Sequence, residues 1–158
     1  MSTSTSTSIT AEIPSPFGPL SITEEAGAIT RVDWKKPEIV GTSDLLTEAA
    51  RQIAQYFAGE LRVFDLPLRP KGDTFQQSVC DAMLQIPYGE TTTYGAIAKA
   101  LDTYGQPVGK ACGGNSIPII IPCHRVLAAD GIGGYSGDGG VERKMELLKL
   151  EGGFPYLL

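Results

Sequence analysis

The sequence predicts an α/β (α+β) protein in two parts, a small N-terminal sheet with one helix and a mainly helical C-terminal part with a helix-turn-helix outline. Three observations predict it. Short apolar stretches between Ile13 and Asp33 are cut by Pro14, Pro16, Gly18, Pro19 and Gly27, which is the pattern of short strands joined by turns. Leu45, Leu46, Ala49, Ile53 and Phe57 recur at helical spacing behind Ser43 or Asp44 as a cap and stop at Gly59. Beyond the proline- and glycine-broken run from Leu66 to Asp73, short helical patterns follow one another with glycine between them. The domain boundary is placed in that run, giving a first domain over residues 9–70 and a second over 71–158. The opening Met1 to Ser8 alternates Ser and Thr, has nothing bulky to bury, and is expected to be a disordered tail.

In the second part Thr74 can cap a helix carrying Phe75, Val79, Ala82, Met83 and Ile86 and ended by Pro87 and the Tyr88-Gly89 turn. Thr91, Thr92 and Thr93 offer the next cap, before Ile97, Ala98 and Leu101. A break from Asp102 to Pro107 precedes a third segment, Val108 to Gly114, whose three glycines argue against a long helix. Ile117 to Val126 is a β-branched run held by Pro118 and Pro122 and is expected to be buried and extended. Asp130-Gly131 makes a turn, a glycine-rich loop surrounds Tyr135, and Val141 to Leu150 forms a terminal helix packing through Met145, Leu148 and Leu150.

Composition narrows the function classes. The chain has 158 residues and 42% apolar content, that of a globular protein. No apolar run reaches the roughly 18 residues of a membrane span and no secretory leader is evident, so a cytoplasmic protein without membrane contact is expected. Three irregularly spaced cysteines do not make a disulfide framework, and one histidine without a CxxC or HxxxH pair gives no ready metal site, so no metal is expected. A net charge of -5 argues against broad nonspecific electrostatic binding to nucleic acid. Local charge is more even: from Lys99 to Lys149, Lys99, Lys110, Arg125, Arg143, Lys144 and Lys149 face five acidic residues.

The chemistry concentrates at Cys123, which precedes the only histidine, His124. Imidazole can raise the thiolate fraction of a nearby thiol, whose ordinary pKa is about 8.5. The ordinary alternative is a buried structural cysteine. Neighbours on an extended chain point to opposite faces, so the pair would work through a bridging water. Glu151 is then a candidate to hold the other imidazole nitrogen, or else a solvated helix end.

Ile-Pro-Cys-His-Arg-Val at 121–126 resembles the active-site signature of the O6-alkylguanine-DNA alkyltransferase family. The likeness runs from Phe75 to Gly152 through Ile86-Pro87-Tyr88-Gly89-Glu90-Thr91, Thr93-Tyr94-Gly95, Asn115, Gly134-Tyr135-Ser136-Gly137 and Glu142-Arg143-Lys144; residues 9–70 resemble the variable N-terminal domain only in size and outline. The resemblance implies a ribonuclease H-like outline for the first domain and a winged helix-turn-helix-like second domain carrying the active site. It implies a cofactor-free, irreversible, one-turnover transfer of the alkyl group from O6-alkylguanine in double-stranded DNA to Cys123, with the nucleotide flipped out and O4-alkylthymine as the second substrate the resemblance offers. His124 would be the base through water, oriented by Glu151, and Asn115 would hold the turn that shapes the site. Tyr94 would protonate or polarise the leaving guanine and crowd the 3′ phosphate. Tyr135 and Ser136 would contact the base, and the Val126 main chain would read its exocyclic amine. Gln106, Thr93, Tyr94, Lys110 and Arg125 would face DNA, and the protein would act as a monomer.

Two departures stand out. Gln106 occupies the place where the family commonly has an arginine that fills the hole left by the flipped base; glutamine is shorter and uncharged but can still hydrogen-bond an orphaned cytosine. The loop after Tyr135 has an extra residue and brings in Asp138. A damage sensor of the alkyltransferase-like type is the alternative, against which stands the retained Cys123. A hydrolase using Cys123, His124 and Glu151 would turn over, whereas a thioether has no easy route back.

Overall fold

In a computed structural model of the chain, residues 8–133 and 140–152 are described. They fall into two compact units, Met1–Pro70 and Lys71–Leu158.

In the first unit, strands β1 (Ser8–Ile13), β2 (Leu20–Glu25) and β3 (Ala28–Asp33) form an antiparallel sheet in chain order. The β2–β3 hairpin turns through Ala26 and Gly27, both at positive φ, the twist that suits a tight hairpin. Helix α1 (Asp44–Phe57) starts where the Ser43 hydroxyl accepts from the Leu46 amide at 3.0 Å. It buries Leu46, Ala49, Ile53 and Tyr56 with Ile13, Leu20, Ile22, Ile29 and Val32 as the unit's core. Leu45 and Phe57, expected on that face, are only half-buried, and Tyr56 takes the deeper place. Ser8, expected in the tail, begins β1; residues 1–7 lie outside the described set.

In the second unit, α2 (Thr74–Leu84) is capped by Asp73, whose carboxylate accepts from the Gln76 amide at 2.9 Å, so the cap is one residue earlier than the sequence suggests. A two-residue strand β4 (Thr92–Thr93) leads into α3 (Tyr94–Ala100), capped by the Thr93 hydroxyl accepting from Ala96 at 3.0 Å. After a turn in which Asp102 takes φ +57, α4 runs from Gly105 to Gly113. The sequence places this helix no earlier than Val108. Pro107 looks like a breaker, but it falls in the first turn, where backbone amides have no intrahelical partner to lose.

The Ile117–Val126 run is the main correction. It is buried as expected, but it is not extended. Residues 116–121 form turns, with Ile119 at φ +74, followed by one 3-10 turn at Cys123–Arg125 and a two-residue strand β5 (Val126–Leu127). Ile117, Ile119 and Ile121 are 1% exposed or less, so their burial, about 1.5–3 kcal/mol each, outweighs the strain of one β-branched residue at positive φ, about 1–3 kcal/mol. Helix α5 (Gly140–Glu151) buries Lys144, Leu147, Leu148 and Glu151, while Met145 and Leu150 are half-buried.

Candidate active site

The site is built on the segment from Asn115 to Leu127. Asn115 fixes its first turn from both ends: its side-chain amide donates to the Ile121 carbonyl at 2.9 Å, and its carbonyl accepts from the Ile117 amide at 2.9 Å. That delivers Pro122 into the 3-10 turn, where the Arg125 amide returns to the Pro122 carbonyl at 3.0 Å. Strand β5 then pairs in parallel with β4, Thr92 beside Val126 and Thr93 beside Leu127. This short ladder brings Tyr94, the first residue of α3, to the cysteine segment.

Behind Cys123 lies a buried ionic triad. His124 is fully buried, and its Nε2 lies 2.8 Å from Glu151 Oε2. The same carboxylate accepts from Arg125 Nε at 2.8 Å and Nη2 at 3.0 Å, and Arg125 Nη1 donates to the Ile86 carbonyl at 2.6 Å. Burial would raise the Glu151 carboxyl, but hydrogen bonds from His124 and Arg125 overcome it and hold the group at about 2. Burial drives the His124 pKa below the ordinary histidine value, against the pull of Glu151. The imidazole is therefore neutral beside an ionised carboxylate that can only accept, which assigns the proton to Nε2 and leaves the Nδ1 lone pair as an acceptor. Nδ1 is buried and has no hydrogen-bond partner among the described residues.

Arg125 corrects the sequence reading. It is expected at DNA, yet it is buried with its guanidinium committed to Glu151 and Ile86. A guanidinium in that position cannot also reach a phosphate; it is the counter-charge that lets Glu151 stay ionised in the interior.

Sequence reasoning missed two residues. Lys144 is fully buried on α5, donates from Nζ to the Val126 carbonyl at 2.7 Å, and stands 5.6 Å from the centre of the Tyr94 ring. Burial lowers its ammonium to about 8, partly opposed by Cys123 and Cys112. Its signal in the sequence was a lysine on the helix's apolar stripe, one turn before Leu147 and Leu148. Gly133, at φ +77, is the other: a methyl added there would stand 3.1 Å from the Tyr94 ring and 3.2 Å from its hydroxyl oxygen and from the Ala128 amide.

Of the remaining expected residues, Tyr94 is half-buried, and burial raises its phenol above the ordinary value, so it is a neutral donor. Val126 is fully buried, and its carbonyl already accepts one hydrogen bond from Lys144. Thr93 is half-buried, and its hydroxyl oxygen accepts the cap hydrogen bond from Ala96. Gln106 and Lys110 are exposed on α4. Tyr135 and Ser136 lie outside the described residues.

A thiol set on a tight turn, a buried neutral imidazole held by an ionised carboxylate, and a helix-turn-helix beside them define a cysteine-nucleophile protein on a nucleic-acid-binding framework. Comparison with known proteins agrees. Residues 9–70 match the family described as 6-O-methylguanine DNA methyltransferase, ribonuclease-like domain, and residues 74–153 match its DNA binding domain. The chain is 44% identical over 149 residues to the methylated-DNA–protein-cysteine methyltransferase of Methanosarcina acetivorans, covering 87% of this chain and 94% of the relative. It is 42% identical over 155 residues to the constitutive enzyme of that name from Bacillus subtilis, covering 86% and 90%. The fold is similar to the crystal structure of Mycobacterium tuberculosis OGT in complex with DNA, with a TM-score of 0.81, 41% identity, and 90% and 92% of the two chains covered. The chain belongs to the 6-O-methylguanine DNA methyltransferase family.

Proposed function

We propose that this protein repairs DNA directly, by moving the alkyl group of O6-alkylguanine onto Cys123 Sγ in a single irreversible turnover. The observation that carries the reading is the neutral His124, held by Glu151 at 2.8 Å in the tautomer that leaves Nδ1 as acceptor, next to Cys123. Nδ1 takes the thiol proton through a water, and the thiolate attacks the O6-bound carbon. The S–C bond forms as the C–O6 bond breaks, and the electron pair of that bond passes to O6 of the guanine. The Tyr94 hydroxyl donates toward the departing base. The Lys144 ammonium stabilises negative charge on the thiolate and holds the Val126 carbonyl toward the base, whose amine that carbonyl reads. A thioether product has no internal route back to thiol, so each molecule acts once.

The substrate in this reading is a flipped alkylated nucleotide in double-stranded DNA, met by Gln106 and Lys110 on α4 and by the first residues of α3. The protein acts as a monomer in the cytoplasm and uses no cofactor. Tyr135 and Ser136 complete the base contacts. The test is intact mass followed by peptide mapping after incubation with a duplex containing one O6-methylguanine. A single methyl on Cys123, in proportion to the lesion supplied, is expected; retained lesion binding without any mass change would instead make the protein a damage sensor.

A further inference from the structure

We propose that Tyr104 is a DNA wedge, an aromatic side chain at the entrance to α4 that inserts into the base stack beside the flipped nucleotide and supplies the stacking that Gln106 lacks. The inference rests on the direct-repair reading above.

Tyr104 is 75% exposed, and among the described residues it is the one aromatic side chain of the six most exposed large apolar residues. Among the described residues no hydrogen bond or ring contact engages its side chain. It sits at the N-cap of α4, a position where Ser, Thr, Asp or Asn would accept from the helix amides, and its side chain makes no capping hydrogen bond. It joins neither the core nor a ring pair among the described residues.

Its location is specific. A Cβ on the next residue, Gly105, would stand 4.0 Å from Tyr94 Cβ, which places the start of α4 against the residue that meets the leaving base. Gln106, Gly109, Lys110 and Gly113 share one face of α4 by their spacing and are exposed or half-buried, while Tyr104 stands ahead of them at the helix entrance on extended backbone rather than in helical register. A Cβ added at Gly109 or Gly113 would meet nothing within 4 Å, so this face of α4 is open and can lie close to a DNA groove. Flipping a nucleotide unstacks its neighbours, and proteins that distort duplexes offset that cost by inserting an apolar or aromatic side chain. Gln106 can hydrogen-bond an orphaned base but has little surface to stack. Tyr104, two residues earlier, has that surface.

The test is single-turnover methyl transfer by the full-length protein from three substrates: a duplex with one O6-methylguanine, the same strand unpaired, and the free base O6-benzylguanine. Tyr104→Ala is expected to slow transfer from the duplex about tenfold or more, the scale of one lost base–aromatic stack. It should stay within about twofold of the parent on the single strand and the free base, where no base stack has to be opened. Tyr104→Phe should keep the duplex rate and Tyr104→Ser, which can cap α4 but has no surface to insert, should not, a comparison that holds if the alanine variant folds poorly. Unchanged duplex transfer by Tyr104→Ala, or an equal loss on single strand and duplex, overturns the wedge and makes Tyr104 a surface for something other than the base stack. Parent protein that takes no alkyl group from any of the three overturns the repair reading itself, and the wedge with it.

Discussion

Glu151 accepts hydrogen bonds from both His124 and Arg125 in the interior, and that sharing sets what substitutions there should do. Glu151→Gln keeps the shape but leaves the Arg125 guanidinium buried without its counter-charge, which costs about 3–5 kcal/mol when a buried pair is broken. At about 2–4 °C per kcal/mol for a chain of this size, thermal unfolding should shift down by roughly 10 °C, and transfer should fall with it because His124 loses its tautomer. The pH dependence has a definite sign. Both pKa values are lowered by folding, so the unfolded chain binds more protons and stability falls with acid. The His124 contribution begins to be lost below the unfolded value of 6.5, and the Glu151 contribution is lost between 4.5 and about 2. Denaturant titrations at stepped pH should show stability declining in two stages. Transfer should persist below pH 6.5, since the base stays neutral there; a rate that halves at that pH would contradict it.

At the scale of elements, the 115–127 segment depends on two small devices. Asn115→Ala removes both side-chain hydrogen bonds of the turn and strands the Ile121 carbonyl in the interior. At about 1–3 kcal/mol for each buried group left unpaired, it should destabilise the protein by about 2–4 kcal/mol in chemical denaturation. Asn115→Asp keeps the acceptor for the Ile117 amide but, when ionised, has no donor for the Ile121 carbonyl, so only its protonated form, whose O–H can donate, should cost less. Gly133→Ala acts at a distance from the thiol. The added methyl meets backbone at Ala128 and the Tyr94 ring, at a φ that alanine tolerates poorly, so Tyr94 must shift. Methyl transfer from duplex DNA should drop by an order of magnitude or more on that basis, while the cysteine should keep its reactivity toward a small alkylating thiol reagent.

For the whole molecule, the charge distribution predicts weak dependence on phosphate contacts. Residues 71–158 hold seven Lys and Arg against nine Asp and Glu, and two of the seven, Arg125 and Lys144, are buried in the site. Few cations remain for DNA, chiefly Lys99 and Lys110 on α3 and α4. The slope of log binding constant against log salt is about -0.9 per phosphate neutralised, so it should be no steeper than about -3. Binding measured across a salt series checks this, and Lys110→Ala should flatten the slope by about one unit. In the proposed reading, affinity then rests on the flipped base and on the face of α4.

The sequence by itself marked the candidate residues for this chemistry and the order in which they appear. Cys123 beside the single histidine and Glu151 at a helix end could be read from residue chemistry and local rules, namely helical period, capping residues ahead of α1 and α3, and proline and glycine punctuation, whereas Asn115, eight residues before the cysteine, stood out only through the likeness to the family's motifs. The tertiary structure decided how those residues are used. Alternation of β-branched residues cannot distinguish a buried strand from a buried run of turns, since both are apolar; the Asn115 hydrogen bonds and the packing of three isoleucines made the second. Arg125 and Lys144 read as surface cations because charge normally seeks water. Only a folded interior that supplies Glu151 to one and the Val126 carbonyl to the other could reverse that expectation, and no pattern along the chain encodes a counter-charge that arrives 26 residues later.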